Sequence, residues 1–313
     1  VSLFTRAVVA VTHNPVTRRL ITGTPPGRAL ASRFVAGDDL DAAIRVARNL
    51  ADRGLSVSLD LLGEEVRDRS MAETALAAYQ ASLDRIQQEG LPANISVKLT
   101  QLGLVFDPGF TRDALDALAE RAGERGTTVT IDMEDSRYTQ ATVDLYASTQ
   151  ARHGNLGVCL QAYLKRTPQD LERLLPLGGH IRLCKGAYLE PPELAFQGRA
   201  EVRAAFLRLL EVLMRDERVR PAIATHDDVL IRRTLELAKE RTGPFEFQML
   251  YGVREPLQGR LAAAGHELRI YLPFGSEWYP YLTRRLAERP ANLAFFVRAL
   301  LPGGDSRGIV PRP

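Results

Sequence analysis

Lys98, Asp132, Gln161 and Lys185 each sit at the end of a short apolar or β-branched run, as do His226, Gln248 and Tyr271, and Arg182 lies within one. A charge taken into a low-dielectric interior costs several kcal/mol unless it is paired or meets a ligand. Eight such groups, mostly at run ends, therefore predict a shared polar site. A second group lies at 279–292, YPYLTRRLAERPAN. On a helix turning about 100° per residue, Tyr281, Arg284, Arg285 and Glu288 share one face, beside an apolar face carrying Leu282 and Leu286. Paired guanidiniums suit bidentate capture of a carboxylate, with the phenol ring as a flat wall beside it. The competing reading of that helix is a solvated face with an Arg284–Glu288 pair, worth about 0.2–0.5 kcal/mol.

Other chemistries find no support. The five histidines are scattered, with no second His or carboxylate at ligand spacing, so no metal site is expected. Cys159 and Cys184 both fall within apolar runs, where a buried thiol is inert. No G-x-S-x-G elbow is present. The strongest rival chemistry is a Schiff-base lyase with Lys98 or Lys185 as the amine nucleophile.

The elements that must position these groups alternate. Strand candidates at 55–62, 94–99, 128–133, 157–163, 180–185, 221–226, 245–250 and 267–272 are separated by helical patterns, several capped by Ser, Thr or Asp and ended by Gly. Eight strands each followed by a helix predict a (β/α)8 barrel, whose catalytic mouth lies at the carboxyl ends of the strands. The rival open sheet lacks a G-x-G-x-x-G turn after its first strand. Residues 1–54 are expected to be helices packed on the barrel exterior or its lower end, residues 55–313 the catalytic barrel, and the whole one domain. The stretch 186–199, GAYLEPPELAFQGR, is long for a βα loop, where about 2–6 residues are usual, and is expected at the edge of the site.

With 313 residues, 45% hydrophobic and 25% charged, the chain can bury a full core. A net charge of +3 permits contact with an anionic membrane surface but lacks the dense basic stripe of a nucleic-acid binder. No run is long enough for a membrane span. Two cysteines without a framework fit a reducing compartment. The expected location is the cytoplasm, at most peripheral to the inner face of the plasma membrane.

The segments SVKLTQLG, IDMED, LQAYLKR, RLCKGAY, ATHDD, FEFQMLYG and YLPFGSEWYPYLTRRLAERPAN, in this order between about Leu55 and Leu300, resemble the proline dehydrogenase family in its short monofunctional bacterial form. The resemblance implies a (β/α)8 barrel holding FAD non-covalently, with the last helix over the mouth. It implies oxidation of L-proline to Δ1-pyrroline-5-carboxylate, with electrons passed on to a quinone. Lys98, Arg284 and Arg285 would neutralise the substrate carboxylate, and Tyr271, Tyr281 and Leu250 would wall its ring. Asp132 and Arg182 match catalytic positions. Met133, Gln161, Arg182, Lys185, Gly186, Ala187, Thr225 and His226 match flavin-binding positions. Gly186 is expected to let backbone approach the cofactor. Glu64 matches a carboxylate that pairs with the first arginine of the last helix, which predicts an Arg284–Glu64 gate.

Overall fold

The structure is a computed structural model, and it describes residues 24–63 and 66–288, with the side chains of 284–288 and of a few positions near the N-terminal end left aside. Glu64 therefore lies outside the described residues, as do the side chains of Arg284, Arg285 and Glu288.

Eight parallel strands close on themselves: β1 Ser56–Leu61, β2 Ala93–Val97, β3 Val129–Ile131, β4 Leu156–Gln161, β5 Gly179–Cys184, β6 Val219–Ala224, β7 Glu246–Leu250 and β8 Leu268–Phe274. Each pairs with the next, and β8 returns to β1 with Leu59 opposite Leu272. The expected barrel is thus found, and every expected strand is present within a few residues of its predicted bounds. Both faces of the strands are buried, because helices cover the outside and side chains fill the inside. Val129, Val158, Ile181 and Phe247 are all fully enclosed.

The helices are α1 Pro25–Ala31, α2 Leu40–Ala51, α3 Arg69–Gln88, α4 Pro108–Glu124, α5 Ser136–His153, α6 Thr167–Leu174, α7 Arg199–Arg215, α8 Asp228–Leu237, α9 Glu255–Ala263 and α10 Trp278–Glu288. Local chemistry sets several starts. Asp68, Asp107, Asp135 and Asp227 each accept an N–H of the following first turn, satisfying a donor the helix cannot. Gly154 ends α5 in the left-handed conformation, φ 73°.

The early helices occupy two places. The apolar stripe of α2, Ala43, Ile44, Ala47 and Leu50, packs on β1 and β8. By contrast, α1 and the turn after it join the far end of the chain: Ala31, Phe34 and Val35 form a small second core with Leu62, Trp278, Tyr279, Tyr281 and Leu282. Leu62 follows the carboxyl end of β1, so this cluster sits at the mouth and not at the lower end of the barrel. Leu282 is fully buried there, as the apolar face of its helix requires.

Candidate active site

A cavity of about 780 Å³ opens at the carboxyl ends of the strands. Lys98, Asp132, Met133, Gln161, Arg182 and Lys185 line it, followed by Gly186, Ala187, Thr225, His226, Gln248, Leu250, Tyr271 and Tyr281. Every predicted site residue whose side chain is described faces this one space. Arg284 and Arg285 continue α10 one turn beyond Tyr281, and their side chains and Glu64 lie outside the described residues.

The floor is a closed set of charges. Lys98, one residue past β2, pairs with the buried Asp60 of β1 and lies 3.6 Å from Asp132. Burial favours a neutral Lys98, but Asp60 and Asp132 outweigh it and hold the ammonium above its ordinary value. Burial pushes the Asp60 carboxyl up, against the pull of Lys98. Asp132, one residue past β3, also accepts from Arg182 and from the Tyr271 hydroxyl at 2.6 Å. Burial, with Asp132 beside it, raises the Tyr271 phenol well above its usual value. The guanidinium of Arg182 lies 5.2 Å from the centre of the Tyr271 ring, close enough for cation–π attraction.

Arg182 and Tyr271 lie within their strands and not at the ends, and so does Gln248. They reach the floor because interior side chains of a barrel stack in layers. Arg182 donates from Nε to Gln248 at 2.5 Å and from Nη2 to Ser96 at 2.9 Å, so each arm of its fork is fixed. The amide of Gln248 donates in turn to Glu246 at 2.6 Å. Glu246 is buried, yet its His180 and Arg269 neighbours keep its carboxyl well below the usual range. An anion there obliges Gln248 to turn its N–H toward Glu246 and its carbonyl toward Arg182. The orientation of Arg182 is therefore dictated, through Gln248, by a buried carboxylate two residues earlier on β7.

The side wall is built from loops. Gln161 ends β4, donates to the Glu134 carbonyl at 2.8 Å and accepts from the Ala187 N–H at 3.3 Å. His226 accepts the Leu250 N–H at Nε2, 3.1 Å, fixing its ring and the Leu250 backbone. Lys185 donates to Asp227 at 2.7 Å, and Arg203 of α7 donates to the same oxygen. Despite partial burial, these two cations hold the Asp227 carboxyl down at about 2. Gly186 has φ +110°, and a Cβ there would stand 2.2 Å from the Tyr163 ring. Its lack of a side chain is thus demanded by backbone conformation and by Tyr163, a nearer cause than the cofactor approach expected from the sequence. The 186–199 loop does form part of the wall, through Gly186, Ala187, Tyr188, Gln197 and Arg199. Glu190 anchors it by accepting from the Ser136 N–H and hydroxyl at 2.7 and 2.5 Å.

Sequence reasoning missed several lining groups. Asp60 was visible as the one carboxylate inside an otherwise uncharged strand, SVSLDL. Arg199, Arg203 and Asp227 lie at helix starts, where a charge looks solvated. Both cysteines border the cavity with their sulfurs 3.6 Å apart, Cys159 buried in the core as expected and Cys184 half-buried. Among the described residues no group of three metal-ligating side chains occurs.

The sequence profile described as Proline dehydrogenase matches residues 43–298. "Proline dehydrogenase 2" of Bacillus subtilis is 36% identical over 276 residues, covering 87% of this chain and 91% of that protein. "Proline dehydrogenase" of Deinococcus radiodurans is 33% identical over 311 residues, covering 96% and 99%. Among solved structures, proline utilization A (PutA) of Bdellovibrio bacteriovorus inactivated by N-propargylglycine superposes with a TM-score of 0.78 over 92% of this chain. At 22% identity that likeness shows the fold. A PutA structure with proline bound in remote sites gives 0.71 at 26% identity over 90% of this chain. The chain spans 37% and 33% of those two longer proteins.

Proposed function

The chain belongs to the proline dehydrogenase family and is an oxidoreductase of proline catabolism, and from that premise we propose that it oxidises L-proline to Δ1-pyrroline-5-carboxylate with FAD in the cavity and a quinone as final acceptor. The observation that carries this reading is the buried set Asp60–Lys98–Asp132–Arg182–Tyr271 on the cavity floor beneath Tyr281.

The cavity suits a flavin dinucleotide. Its volume lies within the roughly 300–1,000 Å³ of cofactor-sized sites. At one side Lys185, Arg199 and Arg203 gather around the start of α7. The N-cap there is Gly198, whose own N–H is taken by the Glu201 carboxylate and which has no side chain to occupy the other first-turn N–H groups, so the cations and those donors would hold a diphosphate. Gln161, Lys185, Gly186, Ala187, Thr225 and His226 would hold the cofactor, and Met133 would touch its ring. When bound, the flavin supplies the hydride acceptor.

The protein's own residues bind and orient the donor. The Lys98 ammonium, with Arg284 and Arg285 of α10, receives the proline carboxylate. Tyr271, Tyr281 and Leu250 confine the ring and exclude water. Asp132 would hold the ring nitrogen, whose ammonium form loses one proton to water before the neighbouring carbon can act as a hydride donor. Arg182 presents a fixed positive charge where electron density accumulates. Glu64 would close the mouth by pairing with Arg284. A Schiff-base reading of Lys98 is disfavoured, since two carboxylates keep its amine protonated and a nucleophile must be neutral. Lys185 is engaged with Asp227.

The test is an anaerobic flavin spectrum. The purified protein should be yellow and should bleach on addition of L-proline. Lys98→Met should retain the flavin bands and lose bleaching at proline concentrations that saturate the parent. Bleaching of Lys98→Met at the parent's rate and concentration dependence would overturn the assignment.

A further inference from the structure

Tyr79 of α3 and Gln101, three residues after Lys98, are both buried, and neither borders the cavity. A polar group taken out of water must recover its lost hydrogen bonds inside the protein, so their destinations are informative. Gln101 Nε2 donates to the Leu61 carbonyl at 3.2 Å and to the Gly63 carbonyl. Its Oε1 accepts from the Tyr79 hydroxyl, and that hydroxyl accepts the Lys98 N–H at 3.3 Å. The directions are forced. Carbonyls only accept and a backbone N–H only donates, so one orientation of the amide and of the phenol satisfies every group. We propose that Gln101, backed by Tyr79, is a positioning residue for substrate binding that ties the loop after β1 to the backbone of Lys98.

Both ends of that tie reach the site. The Gln101 N–H donates to the Lys98 carbonyl at 3.1 Å, so a tight turn places the Gln101 side chain. Within the same turn Thr100 donates from its N–H and hydroxyl to Glu134, at 3.1 and 2.5 Å, two residues past Asp132. At the far end Leu62 lies between the two gripped carbonyls. It donates its N–H to the Phe274 carbonyl at 2.7 Å and packs in the small second core with Tyr281 and Leu282. A Cβ on Gly63 would stand 3.2 Å from Gln101 Nε2, a mark of how closely the two segments approach. Burial holds the Tyr79 phenol above its usual value, so its hydroxyl keeps its proton. The network thus joins Lys98, on the floor, to the bed on which Tyr281 rests. With the tie cut, the groups that meet the substrate are still present, but the separation of floor and roof is no longer fixed. Part of the binding energy then goes into ordering the loop. That loss falls on binding more than on the chemical step. The kinetic consequence rests on the proline reading above; the grip on the loop does not.

Gln101→Met keeps the bulk and removes all three side-chain hydrogen bonds. Hydrogen–deuterium exchange of the purified full chain should quicken in the peptide carrying Leu61 to Gly63 and stay parent-like in β6. The KM for proline should rise about three- to tenfold, the weight of one or two hydrogen bonds, with kcat held within about twofold. Tyr79→Phe loses one oxygen and little bulk, and should move both readouts the same way by less. Thr234→Val removes a buried hydroxyl bond to Leu230 within α8, away from β1 and β2, and should leave KM and the Leu61–Gly63 exchange unchanged. Absence of proline-dependent bleaching in the parent would count against the proline reading and leave the exchange comparison to decide. Parent-like exchange at Leu61–Gly63 in Gln101→Met, or a quickening shared equally by β6, would overturn the proposal. So would a parent-like KM, a fall in kcat with KM unchanged, or the same rise in KM from Thr234→Val. If Gln101→Met does not fold, parent-like exchange and KM in Tyr79→Phe would overturn it instead.

Discussion

Replacing Asp60 by Asn tests the floor of the site most directly. Asp60 is almost fully buried and pairs with Lys98, whose remaining carboxylate, Asp132, is 3.6 Å away. Unit charges about 4 Å apart attract by about 4 kcal/mol at an effective dielectric constant of about 20. Losing that attraction lowers the proton affinity of Lys98 by about a thousandfold, at 1.36 kcal/mol per tenfold. The stability cost should be smaller than the ~3–5 kcal/mol of breaking an isolated buried pair, because Asp132 still holds the ammonium and Asn escapes the burial cost of a carboxylate. The sign follows from the raised affinity. In the parent, the contribution of a protonated Lys98 is complete below the ordinary lysine value of 10.5 and disappears only as pH rises above it. In Asp60→Asn it should disappear at lower pH. Reductive methylation followed by mass spectrometry reads the neutral amine directly, and Lys98 should become reactive at far lower pH in the variant. The kcat/KM for proline should develop an alkaline decline that the parent lacks over the same range. Methylation profiles of Lys98 that superimpose would refute the electrostatic argument, whatever happened to turnover.

Two further substitutions probe the layers around that floor. Gln248→Leu removes the acceptor for Arg182 Nε and the donor to Glu246, each bond to a charged group being worth about 1.5–3 kcal/mol. We expect kcat/KM for proline to fall about 10–100-fold, and a parent-like value would show that Arg182 is held without Gln248. Gly186→Ala forces a Cβ to within 2.2 Å of the Tyr163 ring at φ +110°. Conformational strain alone costs about 1–3 kcal/mol, so the urea midpoint should drop, and an unchanged midpoint would mean that the loop shifts its backbone out of the left-handed region as well as away from Tyr163.

The barrel was legible because its strands announce themselves as short apolar runs between capped helices, and because eight repeats leave few topologies. Lys98, Asp132 and Gln161 were legible for a related reason: a polar side chain closing an apolar run lies at the mouth. Asp60 escaped because it sits inside its run and not at its end, where a buried carboxylate gives no sign of which face it occupies. Arg203 and Asp227 escaped because a charge at a helix start is normally a solvated cap; only the three-dimensional meeting with Lys185 gives them a place in the site. The cysteines show a different limit. A run of apolar neighbours says that a strand is buried on both faces, but it does not say which face borders a cavity. Nor could spacing show that two positions 25 residues apart would bring their sulfurs into contact.

The small second core ties α1 to α10 across the mouth. A minimal catalytic fragment drawn by strand count would begin near β1 and discard Ala31, Phe34 and Val35. That cut would leave all eight strands intact and strip the bed on which Trp278, Tyr281 and Leu282 rest. The first described helix therefore belongs, in engineering terms, with the last one: trimming, fusing or shuffling this chain at its N-terminal side alters the roof of the site before it alters the walls.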